Sequence, residues 1–435
     1  TSKKTAVKLK RLEKEEFKGL NKGHLGAIQG ALATDNQHFV IYGLSGVGKT
    51  QSLKPLKTIL DEEKVETLWL APSIGAADVL GNDIGQQAFT AQRLAYTDSI
   101  KLKKGMVIGI DEAGLIDAEC MDLIGIKAEE AGARILLIGD PKQNPPVQAG
   151  SPMISLMYND AEVFNITEIL RQQDPIQKKA VELIARGDGV SSIKLLNEHG
   201  YVTEIEDPGE RQGAIASQYL RLEKSEQGKT LVIAGTNAER IAITGLIRDG
   251  LKAEGYLGES LDCLQLVDSR LSPEQQTDIR NYAIGQYIDP LQSYAKARRH
   301  EFCKIVGKTE THLILQNPRG VEFELIPDRW DKRVYNADNI NIAVNDEIRF
   351  KGGIHNANYK NGQIFTVTGI EGEVATIANA KGKTQTLDLS KPLPIDHNIV
   401  RTTYDVQGSG KGGAIVSLTR DRTSNKGSTY VGISR

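Results

Sequence analysis

Paired cysteines, a long apolar run and an excess of one charge are all missing from this 435-residue chain, and each absence excludes something. Cys120, Cys263 and Cys303 stand far apart and form no CxxC pair. That argues against a zinc site or a disulfide framework and suits a reducing compartment, so the expected location is cytoplasmic. No apolar run approaches the roughly 18 residues that span a bilayer. The basic start, TSKKTAVKLKRLEKEEF, has no apolar region behind it and so is not a secretory signal. The formal net charge is only −2, so any nucleic-acid surface has to be a local groove rather than bulk basicity. An initiator Met is also missing, and the chain is expected to be a fragment of a larger polypeptide.

What is present is an ordinary globular composition, 39% hydrophobic and 25% charged, at a length that calls for two or more cores. The most specific stretch is HFVIYGLSGVGKTQSL. A short β-rich run, Phe39 to Tyr42, leads into Gly43-x-x-x-x-Gly48-Lys49-Thr50 and then a helix-like segment. This is the phosphate-loop pattern in its required strand, loop and helix context. Gly43, Gly46 and Gly48 let backbone N–H groups curl around phosphate oxygens at a helix N-terminus. Lys49 would reach the β- and γ-phosphates of ATP, and the Thr50 hydroxyl would ligate Mg²⁺.

Such a loop needs a second acid. In GMVIGIDEAGLID an apolar strand, residues 106–110, ends in Asp111-Glu112. Strand-end carboxylates lie at the edge where ligands bind in parallel α/β sheets. Asp111 would hold Mg²⁺ through water, and Glu112 would orient the attacking water. A third strand, Ile135 to Ile138, runs into Gly139-Asp140-x-x-Gln143, and Gln143 is suited to contact a γ-phosphate because its amide both donates and accepts.

GLSGVGKT, APSIGAADVL, DEAG, GDPKQNPPVQAG, LRQ, VQG and YVGISR, in this order, resemble the motif series of superfamily 1 helicases. More narrowly they look like the RecD-like branch and the helicase domain of conjugative relaxases, the DNA-transfer proteins of plasmids. The resemblance runs from about residue 20 to 435, apart from the stretch near 255–330. It implies an α/β fold of two RecA-like parallel-sheet motor lobes with a small SH3-like β-barrel inserted in the second. The expected division is an N-terminal extension over 1–19 and a first lobe over 20–165 with a small hairpin insertion near 90–104. A second lobe would follow over 166–267, the inserted β-rich domain over 268–395, and the end of the second lobe over 396–435. Short β alternation from Ala343 onward, with Asn361-Gly362 as a turn, fits the barrel.

The same resemblance carries roles to particular residues. Arg171 of LRQ and Arg435, delivered by a strand YVGISR, would reach the γ-phosphate from the second lobe. Gln407 and Gly408, with Thr402, match a motif that contacts phosphate and DNA backbone, although Asp405 stands where a His is usual. His24 occupies the position of a Gln that reads the adenine edge, so base selectivity is expected to be relaxed. Ser73, Thr90, Gln92 and Asn237 are candidate DNA contacts, since hydroxyls and amides at loop tips suit sequence-independent phosphate binding. The implied protein is an ATP- and Mg²⁺-dependent 5′→3′ translocase and helicase. Its partners would be single-stranded DNA, the single/double-strand junction and other proteins of the conjugation machinery. A RecD-like repair helicase and a non-unwinding single-stranded DNA-binding module stay open beside it.

Overall fold

The computed structural model describes residues 19–146, 149–159, 161–272, 274–354, 359, 361–406, 412–419 and 425–435. The chain divides into two compact units, one of residues up to Ile247 with Val400–Arg435, the other of Arg248–Ile399.

The first unit opens with α1 (Lys22–Ala33) and β1 (His38–Gly43), followed by α2 (Lys49–Glu62), β2 (Thr67–Ala71), α3 (Ile74–Ile84) and β3 (Ala88–Thr90). Next come α4 (Ala91–Tyr96), β4 (Val107–Ile110), α5 (Ala118–Ala131), β5 (Arg134–Gly139), α6 (Pro152–Asn159) and β6 (Glu162–Ile166). The six strands form one parallel sheet in the order β3-β2-β4-β5-β1-β6. Helices cover both faces, so the central strands read as continuous apolar runs. Alternate residues feed two cores. Phe39, Ile41, Trp69, Leu136 and Ile138 enter one, while Val40, Leu68, Leu70, Ile135 and Leu137 enter the other. Trp69 lies against the bare backbone of Gly109, where an added Cβ would come within 2.4 Å of the indole.

The hairpin expected near 90–104 is absent; the segment instead forms the short helix α4 followed by an irregular return. Thr90 caps the helix by accepting from Arg93 N–H, and Ala91, Leu94 and Ala95, at helical spacing, bury themselves in the second core.

After β6 the chain builds α7 (Pro175–Ala185), α8 (Gly189–Glu198), α9 (Pro208–Leu220), α10 (Lys224–Gln227), β7 (Thr230–Ala234) and α11 (Asn237–Ala253). The second unit carries two antiparallel sheets. One contains β8 (Ser260–Asp268), β9 (Tyr287–Pro290), β10 (Cys303–Lys308), β11 (Leu313–Gln316), β12 (Glu322–Leu325) and β13 (Lys332–Ala343), in the order β12-β11-β10-β9-β13-β8. The other contains β14 (Glu347–Phe350), β15 (Ile364–Glu371), β16 (Val374–Ala378), β17 (Thr384–Asp388) and β18 (Ile395–His397), in the order β17-β16-β15-β14-β18. The β-rich region thus starts before the expected boundary at 268, because β8 pairs with β13 along its whole length, Ser260 with Ala343 through Asp268 with Tyr335. Cys263, Ile340 and Ile342 of that pair share a core with Phe350, Phe365, Val367, Ile377 and Ile395 of the five-stranded sheet.

The chain returns to the first unit as β19 (Val400–Thr402) and β20 (Gly413–Val416), which flank β7 in a parallel three-stranded sheet, and then α12 (Lys426–Ile433). YVGISR is expected to be a strand; instead its first four residues are the C-terminal half of α12, and Ser434 and Arg435 follow the helix. The cause is a capping box. Asn425 Oδ1 accepts from Ser428 N–H at 2.8 Å while Ser428 Oγ accepts from Asn425 N–H at 2.9 Å. Among the described residues no helix is long and apolar enough to cross a membrane.

Candidate active site

The carboxyl ends of β1, β4 and β5, neighbours in the first sheet, bring the sequence-predicted groups together. Between β1 and α2 the loop turns with Gly46 at φ +82° and Gly48 at φ +74°, left-handed values that strain any other residue. Gly43 is pinned differently: a Cβ there would lie 2.7 Å from Val47 Cγ2. Lys49 is buried, and its ammonium donates to the carbonyls of Gly43 at 2.9 Å and Leu44 at 3.3 Å. It is therefore held across the mouth of its own loop.

His24 is not at the cleft. It is fully buried beneath the loop, where Nε2–H donates to Val47 O at 2.8 Å and lies 3.1 Å from Gly48 O. Nδ1 accepts from Asn21 N–H at 3.3 Å, completing the cap of α1. With both ring nitrogens committed to backbone, His24 has nothing left with which to read an adenine edge. It braces the phosphate loop instead.

Asp111 ends β4, with Oδ1 accepting from Glu112 N–H at 3.0 Å. Burial first, and then the neighbouring Glu112 carboxylate, push its pKa up to about 7, against the lowering effect of Lys49. Glu112 itself sits at φ +49°, an uncommon conformation for this residue that fixes where its side chain leaves the turn. Beyond β5, Gln143 N–H donates to Asp140 O at 3.2 Å; Gln143 is only 4% exposed, and its buried Oε1 has no hydrogen-bond partner among the described residues.

Arg171 reaches the loop from the segment after β6. Its N–H, like that of Leu170, donates to Gly46 O at 2.9 Å, and Nη1 donates to Ser45 Oγ at 3.3 Å and Ser434 O at 3.1 Å. Gln172 Nε2 donates to the same Ser434 carbonyl at 3.0 Å. Arg435 follows directly; burial first, then the charge of Arg171, lower its pKa to about 10. Lys49, Glu112, Gln143, Arg171 and Arg435 all line one cleft of about 330 Å³, together with Gly46, Gly48, Thr50 and Asp111.

Three neighbours of this site were not singled out in the sequence: Tyr430, Gln172 and Ser434. Tyr430 Oη accepts from Ser45 N–H at 2.7 Å and donates to Asp140 Oδ2 at 2.7 Å. The spacing of Tyr430 one turn before Ser434 was a usable signal had YVGISR been read as helix. Ser434 acts through its backbone carbonyl, for which no sequence signal exists.

The candidate DNA contacts are scattered along strand ends. Ser73 caps α3 by accepting from Ala76 N–H at 3.2 Å, and Thr90 caps α4; both hydroxyls serve the fold as helix caps. Gln92 is exposed on α4. Asn237 begins α11 and accepts from Arg240 Nε at 3.2 Å, and Thr402 Oγ1 accepts from Asp405 N–H at 3.4 Å. Gln407 and Gly408 lie outside the described residues.

A family model described as an AAA domain matches residues 19–207. The ATP-dependent RecD2 DNA helicase of Deinococcus radiodurans is 31% identical over 192 residues, 42% of this chain and 26% of that protein. The multifunctional conjugation protein TraI of Escherichia coli K12 is 20% identical over 462 aligned positions, 93% of this chain and 26% of that protein. The chain thus spans about a quarter of the length of these curated relatives. Among solved structures, one of two coordinating Pif1 helicases unwinding forked duplex DNA matches with a TM-score of 0.53 and 16% identity, covering 96% of this chain and 89% of that one. That likeness shows a shared two-lobe α/β fold. In its ordered motifs and in these relatives, the chain is similar to RecD-like superfamily 1 helicases and to the conjugation protein TraI.

Proposed function

We propose that this chain is an ATP-driven motor on single-stranded DNA that unwinds duplex ahead of it, moves 5′→3′ and serves conjugative DNA transfer. The observation that carries the reading is the convergence of Lys49, Glu112, Gln143, Arg171 and Arg435 on one cleft, from five separate stretches of sequence. Lys49 binds the β- and γ-phosphates, exchanging the loop carbonyls it now holds for phosphate oxygens. Glu112 orients the attacking water. Gln143, whose buried Oε1 lacks a partner among the described residues, reports the γ-phosphate. Arg171 and Arg435 stabilise spread phosphoryl charge, an effect of about 10³–10⁵ in rate in related NTPases.

Thr50 and Asp111 are the residues that would hold Mg²⁺. They fit it: both face the same cleft, and the ion usually takes one or two protein oxygens and the substrate phosphates. Among the described residues no group of three His, Cys, Asp or Glu forms an all-protein metal cage. Bound there, the ion neutralises charge on the phosphates.

Polarity is supported by the run QNPPVQAG that begins at Gln143, as in the 5′→3′ branch, and the conjugative role by the extent of the match to TraI. Tailed duplexes test both unwinding and direction. Strand separation of a 5′-tailed substrate, dependent on ATP and lost in Lys49→Ala, is expected; preference for a 3′ tail refutes the assigned direction.

A further inference from the structure

Helix α12 touches the nucleotide cleft at three successive turns, and its middle contact is made by one hydroxyl. Tyr430 is 2% exposed. Its Oη accepts from Ser45 N–H of the phosphate loop and donates to Asp140 Oδ2, both at 2.7 Å. The direction of this chain of hydrogen bonds is fixed, because a backbone N–H can only donate and a carboxylate can only accept. Hydrogen bonds in series strengthen one another, so the bond to Asp140 makes the phenol oxygen a better acceptor for Ser45.

Asp140 is itself fully engaged. Its other oxygen accepts from Lys142 N–H at 3.1 Å, and its carbonyl accepts from Gln143 N–H at 3.2 Å. The turn that aims Gln143 is therefore built on Asp140. One turn earlier on α12, Gly427 packs so closely on this turn that a Cβ would stand 2.7 Å from Gln143 O. One turn later, Ser434 O receives Arg171 Nη1 and Gln172 Nε2. The helix is a strut between the loop that grips phosphate, the turn that carries Gln143 and the segment that carries Arg171.

We propose that Tyr430 is a positioning residue whose hydroxyl relays the state of the phosphate loop at Ser45 to Asp140 and so to Gln143, setting turnover rather than nucleotide affinity. This inference rests on reading the cleft as a nucleotide-hydrolysing site. Removing the hydroxyl leaves the ring, which keeps its place in the core cluster that also holds Phe39 and Ile41. It cuts the link between Ser45 and Asp140.

The test compares the chain with Tyr430→Phe, Asp140→Asn and the double variant in three measurements: steady-state ATP hydrolysis with saturating oligo-dT, equilibrium binding of a fluorescent non-hydrolysable ATP analogue, and thermal melting. In Tyr430→Phe, kcat is expected to fall about tenfold or more, a barrier increase of about 1.4 kcal/mol, while analogue Kd stays within about twofold. Asp140→Asn offers one acceptor oxygen where the carboxylate serves both the phenol and Lys142 N–H, so one of those donors loses its partner and turnover is expected to fall as well. The double variant is expected to be no worse than the more impaired single variant, because both changes break one linkage. A kcat within about twofold of the unsubstituted chain, with only the melting temperature lowered, overturns the relay and leaves Tyr430 a core anchor. Losses that simply add in the double variant overturn it too. Absence of turnover in the unsubstituted chain sinks the hydrolysis reading and the relay with it; turnover that is equal with and without the hydroxyl sinks the relay alone.

Discussion

Arg171 Nη1 donates to the backbone carbonyl of Ser434 at 3.1 Å, joining residues 263 positions apart in sequence one step before Arg435. A guanidinium that fixes the carbonyl preceding a second guanidinium holds two like charges in one cleft. The cost shows in Arg435, whose proton is held less tightly through burial and the charge of Arg171. The Glu112 carboxylate in the same cleft offsets part of that repulsion, and a phosphoryl group undergoing transfer would bring further negative charge to both.

Arg435→Gln is accordingly expected to lower kcat for ATP hydrolysis by about 10² or more while KM changes by less than about threefold. The chemistry needs the charge when the phosphoryl group is in flight more than when ATP merely binds. Steady-state kinetics at saturating single-stranded DNA provide the check, and a rise in KM with kcat intact would assign Arg435 to ground-state binding.

His24 makes a different prediction from an adenine reader. Because its ring supports Val47 O and Gly48 O, His24→Ala weakens the phosphate loop beneath every nucleotide alike. Affinity for ATP and GTP should fall by the same factor, about 5- to 30-fold for the 1–2 kcal/mol of two lost hydrogen bonds. Competition binding with both nucleotides measures it; selective loss of ATP would restore the base-reading role.

Asp111 carries a pH dependence. Its pKa is raised from 3.8 to about 7, so between those values the folded chain binds one more proton than the unfolded chain. Its contribution to stability therefore falls as pH rises from about 4 to 7 and is flat above. Without added nucleotide, Asp111→Asn should melt higher than the unsubstituted chain at about pH 8, with the difference narrowing at about pH 5. A carboxylate that ligates a metal must be ionised, so Mg²⁺-dependent nucleotide affinity moves the other way, rising across the same interval. Melting and binding titrations over this range measure both.

Gly109 tests the core behind the site. Any side chain here enters the Trp69 ring, since the added Cβ would come within 2.4 Å of it. Gly109→Ala is expected to destabilise the first unit by about 1–3 kcal/mol through overpacking in the sheet that carries Asp111. Denaturant unfolding followed by tryptophan fluorescence reads it directly.

The nucleotide side of the molecule was legible because its groups end apolar strands in chain order. Each of Gly43–Thr50, Asp111-Glu112 and Asp140–Gln143 follows a buried strand of one parallel sheet. What failed was local. The shortness of the segment from Thr90 to Lys104 suggests a hairpin, although Thr90 is a sound helix cap and the apolar residues up to Tyr96 repeat at helical spacing. YVGISR has strand-like composition, and only the Asn425–Ser428 capping box upstream marks it as helix. The sheet over 260–343 escaped notice because its strands are interrupted by irregular loops and β8 finds its partner β13 some seventy residues later. His24 was judged by its position in a motif, while its actual partners are backbone carbonyls that no residue pattern announces.

Five separated groups line one cleft, and the proposed function makes it a hydrolytic site commanded by DNA. ATP hydrolysis measured with and without single-stranded DNA, for the chain and for Lys49→Ala, tests it most directly. Turnover that rises about tenfold or more on adding DNA and disappears in Lys49→Ala is the expected result. Turnover indifferent to DNA, or surviving the loss of Lys49, would contradict the account.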